Sequence, residues 1–91
     1  MSFRIIYTPS YNKRAAKFIR RHPDLTSQYL KTLQLLELDP YHPSLRLHRL
    51  KGSLNELHSI SININYRISL ELKISEKMII PVSVGTHDEV Y

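Results

Sequence analysis

LHSISININYRISLELKI, residues 57–74, decides the fold. In its first half Ile60, Ile62 and Ile64 fall on one side and Ser59, Ser61 and Asn63 on the other. A period of two is the mark of a strand with one buried face. Asn63 and Asn65 suit a tight bend, because Asn side chains bond their own backbone and tolerate turn conformations. After the bend the alternation resumes. Tyr66, Ile68, Leu70, Leu72 and Ile74 point inward, and Arg67, Ser69, Glu71 and Lys73 outward. Two alternating runs joined by a short polar bend read as an antiparallel hairpin.

Downstream, SEK reads as a turn, and MIIPVSV (78–84) as a further strand with Met78, Ile80, Val82 and Val84 on one side. Pro81 has no N–H for a ladder, which argues against a central, fully paired place for it. Upstream, LRLHRL (45–50) reads as a short strand closed by an L-K-G turn. Before residue 40 the period changes. FRIIYT is a strand, and Thr8-Pro9 then starts a helix with a capping hydroxyl and a proline in the first turn. Tyr11, Ala15, Phe18, Ile19 and His22 share one helical face, and His22-Pro23 ends it. A second helix runs from about Asp24 with Leu25, Tyr29, Leu33 and Leu36 on one stripe, and stops by Asp39-Pro40.

The expected fold is α+β, in the order β-α-α-β-β-β(-β), one domain over residues 1–91. An N-terminal helical hairpin covers one face of a small, mainly antiparallel sheet. The uncovered face then carries Ser59, Ser61, Asn63, Arg67 and Ser83. Alternation from Val84 sends His87 to the same side if the strand continues that far.

Composition narrows the chemistry. With no cysteine, disulfides and zinc–thiolate sites are impossible. No run approaches the ~20 apolar residues of a membrane helix, and the N-terminal apolar stretch is too short for a signal peptide, so a soluble cytoplasmic protein is expected. Lys and Arg number 13 against 8 acids. The excess sits in two sets, residues 4–21 and 46–67. Either set could be a solvated face, a site for a polyanion or a site for an acidic protein. The five histidines, at 22, 42, 48, 58 and 87, form no metal-binding spacing, and neither a P-loop nor a dinucleotide or hydrolase glycine motif occurs. No metal and no cofactor are expected.

Histidine, arginine, tyrosine and serine on a basic surface suit cleavage of a phosphodiester by its neighbouring 2′-hydroxyl. That reaction needs a base, an acid and positive charge on the phosphate, and no covalent step on the protein. Arg67, His48, His87 and Tyr91 are the candidates. His58 shares the side of Ile60 and reads as core edge, while His22 and His42, each before a proline, read as loop residues.

LHRLKGSLNELHSISININYRISLEL and IIPVSVGTHDEVY together resemble the RelE/ParE superfamily, the toxins of type II toxin–antitoxin pairs. The resemblance spans nearly the whole chain: the element order, the L-K-G turn, the Y-R-I strand and the V-G-T-H ending. It is similar to the ribosome-dependent mRNA endonucleases of the RelE and YafQ kind more than to the gyrase-directed ParE branch, which remains the alternative. The resemblance implies Arg67 on the scissile phosphate, His87 as general acid, His48 as a second functional histidine and Tyr91 as the ring that orients the RNA. Arg46, Arg49, Lys51, Ser59, Ser61 and Asn65 are the candidate RNA contacts around them. Where RelE has two lysines this chain has Ser59 and Ser61, and where YafQ has an aspartate it has Asn65. The implied partners are a cognate antitoxin, the ribosome and mRNA, with no membrane.

Overall fold

The computed structural model describes residues 2–52 and 56–90. Five strands form one sheet in the order β1-β5-β4-β3-β2: β1 (Arg4–Ile5), β2 (His48–Arg49), β3 (His58–Ser61), β4 (Tyr66–Lys73) and β5 (Met78–Thr86). Among the described pairings only β1 against β5 is parallel. Helices α1 (Pro9–Arg21) and α2 (Thr26–Leu38) follow β1, and a single helical turn, α3 (His87–Val90), follows β5. The expected α+β architecture, helical hairpin and mainly antiparallel sheet are all present.

Local chemistry explains the helix limits. The Thr8 hydroxyl accepts the Tyr11 N–H at 3.1 Å, with Pro9 in the first turn. The chain leaves helical geometry at His22, before Pro23. A short 3₁₀ turn over Pro23–Leu25 precedes α2, so the α-helix itself begins at Thr26, two residues after the expected start. Tyr11, Phe18, Tyr29, Leu33 and Leu36 are buried against Ile60, Ile68, Leu70 and Ile79 of the sheet. Within this layer the Tyr11 and Tyr29 hydroxyls bond each other at 2.7 Å, which satisfies two polar groups the core would otherwise strand.

Four expectations about strands are corrected. The FRIIYT strand shrinks to Arg4–Ile5, because only two residue pairs join it to β5. Strand β2 is likewise two residues, since Pro43–Leu45 takes a 3₁₀ turn instead. Ile64 and Ile74 are not inward: each lies past a strand end, 84% and 61% exposed. The phase of β5 also differs. Ser69 pairs with Ser83 but Leu70 pairs with Pro81, so Val82 is an extra residue, a β-bulge. Ile79 and Pro81 therefore face inward below the bulge and Val84 above it, rather than Met78, Ile80, Val82 and Val84 together. Pro81 is buried in an interior strand after all. The bulge is how a residue without an N–H is accommodated there, and the Arg14 guanidinium donates to the Val82 carbonyl at 2.6 Å.

Candidate functional site

The register places the candidates. His48 lies opposite Ser59, Ser59 opposite Ser69, and Ser69 opposite Ser83. Directly opposed residues share a face, so these four form one row across the uncovered side. The next row is Ser61, Arg67 and Gly85. Rows two residues apart on a strand are separated by about 7 Å and neighbouring strands by about 5 Å, which puts the His48 and Arg67 Cα atoms about 12 Å apart. His87 follows Gly85 by two residues, so it leaves the sheet on the β5 side of Arg67. In the chain's path across the sheet, His48 thus lies on the β2 side of Arg67 and His87 just beyond the β5 end.

Each side chain is held by its neighbours. The Arg67 guanidinium donates to the Ser61 hydroxyl at 3.3 Å and is half-buried. His48 is exposed, and its Nδ1 lies 3.0 Å from the Arg46 carbonyl oxygen. A carbonyl only accepts, so Nδ1 carries the proton and the neutral ring keeps its lone pair on Nε2. His87 is not on an extended strand as expected; it opens α3, with its Nδ1 3.6 Å from the Asp88 carboxylate and a side chain 61% exposed. Glu89 accepts the Thr86 N–H at 2.8 Å, and the Thr86 hydroxyl faces the Glu89 N–H at 3.4 Å. This reciprocal pair is a capping box. The signal T-H-D-E (86–89) stood in the sequence, where strand alternation was carried across it. The Thr86 hydrogen bonds, assisted by Arg21 and His22, hold the Glu89 carboxyl below its usual range.

The remaining candidates divide. Ser61 and Asn65 are accessible beside Arg67. Ser59 is completely buried, as Ser69 is nearly, so it is not open to RNA in this structure. Ser69 and Ser83 share a hydrogen bond at 2.6 Å in the same row. Arg49 pairs with His58, whose partner Leu70 is core, so by register Arg49 belongs to the opposite face from His48. Lys51 is exposed at the L-K-G turn, and Gly52 there takes a left-handed backbone, φ 72°. Tyr91 and residues 53–55 lie outside the described residues.

His58 fits the reading of a core-edge histidine: burial, then the charges of Arg49 and His48, push its pKa down. His22 lies in the link between α1 and the 3₁₀ turn, as read, and its ring packs inward, 4.9 Å from Phe18 and 4.8 Å from Tyr66. Sequence reasoning also missed Ser44 and Ile64, which with Arg46, Ser61, Ile62, Asn63 and Arg67 line a cleft of about 230 Å³. Among the described residues no three of His, Asp and Glu gather as metal ligands, and no helix is long and apolar enough to cross a membrane.

No family model matches this chain, and no curated protein does. Solved structures do. The E. coli DinJ–YafQ toxin–antitoxin complex contains a chain 19% identical, with a TM-score of 0.77 over 100% of this chain and 99% of that one. A YafQ mutant from E. coli is 23% identical, TM-score 0.71, covering 96% of each chain. The YoeB/ParE toxin from Agrobacterium tumefaciens is 15% identical, TM-score 0.72, over 93% and 99%. At these identities the likeness is one of fold, and it spans essentially the whole chain. The chain therefore has the fold of the RelE-superfamily toxins, in the form that YafQ shares.

Proposed function

We propose that this protein is the toxin of a type II toxin–antitoxin pair and acts as a ribosome-dependent mRNA endoribonuclease in the cytoplasm. One observation supports the reading most: strand register sets His48 and Arg67 on the same sheet face of a RelE-like fold, with His48 on the β2 side of Arg67 and His87 following the end of β5 on the other. In-line displacement at phosphorus needs that placement, because the attacking and leaving oxygens stand on opposite sides of the phosphate.

Each group then has a role. Nε2 of His48, oriented by the Nδ1–H bond to the Arg46 carbonyl, takes the 2′-hydroxyl proton. The 2′-oxygen bonds to phosphorus as the P–O5′ bond breaks, and His87 gives a proton to the departing 5′-oxygen. The products are a 2′,3′-cyclic phosphate and a 5′-hydroxyl. Arg67 holds the phosphate and neutralises the charge that builds on its oxygens. Tyr91 orients the RNA. The RNA supplies its own nucleophile, so the reaction as proposed runs without a metal. Lys51, Ser61 and Asn65 lie along the RNA path. The ribosome presents the strand, and a cognate antitoxin silences the site, acting on the basic α1 face or on the α3 segment that carries His87.

The test is induced expression with primer-extension mapping of cellular mRNA, wild type beside His87→Ala and His48→Ala. In-frame cuts and growth arrest are expected with the wild type and neither with the variants. Growth arrest that persists in both variants without mRNA cuts would overturn the nuclease reading in favour of gyrase inhibition on the same fold.

A further inference from the structure

The cleft formed by Ser44, Arg46, Ser61, Asn63, Ile64 and Arg67 has a distinct composition. Among the described residues its two charged members are both arginines, and no carboxylate lines it. Its volume of about 230 Å³ falls below the ~300–1,000 Å³ of whole-ligand pockets, so it is sized to seat part of a longer anionic chain.

Arg46 stands in the left-handed region, φ 52° and ψ 45°. A non-glycine residue is uncommon there, and a backbone held in that way is a starting point for a functional reading. The strain has a structural yield. The turn at Arg46 aims its carbonyl at His48 Nδ1 and delivers its side chain into the cleft with Arg67. Across the cleft, the Asn63 side-chain oxygen accepts the Asn65 and Tyr66 N–H groups, both at 2.9 Å. That bend holds Ile64 outward, 84% exposed, on the cleft wall. A fixed apolar side chain beside two guanidinium groups suits a nucleotide, with a base for the first and phosphates for the second.

We infer that this cleft is a nucleotide subsite next to the scissile bond: Arg46 holds the phosphate adjoining the one on Arg67, and Ile64 supports the base between them. The inference rests on the RNA-cleaving reading above and extends it to a second phosphate. The ligand class is single-stranded RNA.

The experiment separates the two readings by using a ligand that cannot be cut. A fluorescent single-stranded 2′-deoxy hexanucleotide is titrated with the whole protein at several salt concentrations, and ribosome-dependent cleavage is measured in parallel. Each lost phosphate contact lowers the salt slope by about 0.7 for a single strand. Arg46→Gly removes the guanidinium and suits the left-handed backbone, so it is expected to fold. It is expected to weaken binding about tenfold and flatten the slope by about one contact, as Arg67→Ala does. Arg46→Lys is expected to keep the slope. Ile64→Ala is expected to weaken binding with the slope unchanged and to alter which bases flank the cut. Arg20→Ala, on α1, serves as the reference for loss of a remote charge. Binding by Arg46→Gly equal to that of Arg20→Ala would overturn the subsite, as would failure of the wild type to bind the hexanucleotide. Binding that depends on Arg46 in a protein that cuts no mRNA would leave the subsite standing and remove the nuclease reading instead.

Discussion

Glu89→Ala isolates the device that holds His87. In the structure the Glu89 carboxylate accepts the Thr86 N–H at 2.8 Å, and no helix longer than one turn stands behind it. Charge-assisted hydrogen bonds are worth about 1.5–3 kcal/mol when shielded. Glu89 is largely in water, so the figure falls to the capping range of about 1 kcal/mol. About 1 kcal/mol corresponds to a roughly fivefold rise in the open form of the segment. Hydrogen exchange of the Thr86 amide is therefore expected to quicken about fivefold, with exchange in β4 unchanged. Glu89→Gln, which can still complete a capping box, is expected to recover most of the protection. Acid should mimic the alanine change. The folded carboxyl titrates below its ordinary value of 4.5, so its contribution is whole above that pH and is lost as pH falls through the lower folded value. Gly85→Ala should act on the same device, since a Cβ there would meet the Glu89 carboxylate oxygen at 2.8 Å. Unchanged Thr86 exchange in Glu89→Ala would refute the capping argument. His87 would then be positioned by something else, most simply by buried Val90.

Three further outcomes are expected. Tyr11→Phe should cost about 1–2 kcal/mol in urea unfolding, because it leaves the Tyr29 hydroxyl without its partner, and Tyr11→Phe/Tyr29→Phe should cost less than the two single changes summed. His58→Leu should stabilise the fold more at pH 5.5 than at pH 8. The folded pKa is depressed, so the unfolded chain takes up a proton below about 6.5 that the folded one refuses, and the native ring carries that penalty only on the acid side; equal gains at both pH values would contradict this. Thr8→Ala should lower stability by about 1 kcal/mol through loss of the α1 cap, read as a shift of the urea midpoint with no change in slope.

Much of the fold was legible because its signals are local and repeated. Alternation over Tyr66–Leu72 specified β4 and its buried face, and the Asn63 bend joined it to β3 through side-chain bonds of the kind Asn makes. Thr8-Pro9 and His22-Pro23 marked both ends of α1. Illegible parts depend on partners far off in sequence. FRIIYT has strand composition throughout, yet how much of it pairs is set by how much of β5 is offered to it, and that is two residues. The β5 phase turns on one extra residue at Val82, which alternation has no means of announcing, although Pro81 was a reason to look there. Ser59 was read as surface because it alternates with isoleucines; burial of both faces at mid-sheet depends on what lies above the row.

The same division applies to the site. Arg67 and His48 reach one face because strand register is a consequence of the pattern that buries Ile60, Ile68 and Leu70. A slip of one residue in β4 would send Arg67, Ile68 and Leu70 all to the wrong sides, so the stability of the core and the placement of the arginine are a single constraint. His87 obeys a different rule. It stands beyond the last ladder pair, Thr86 with Tyr66, and its position comes from the T-x-x-E turn rather than from the sheet. The arginine and the first histidine are therefore placed by strand register, while the second histidine is placed by one short helical turn, held by the Thr86–Glu89 cap and by buried Val90. A single terminal turn outside the ladder can be moved by a binding partner without unfolding the sheet. On the proposed reaction, moving that turn would take away the group that protonates the leaving oxygen while Arg67 stays in place on β4.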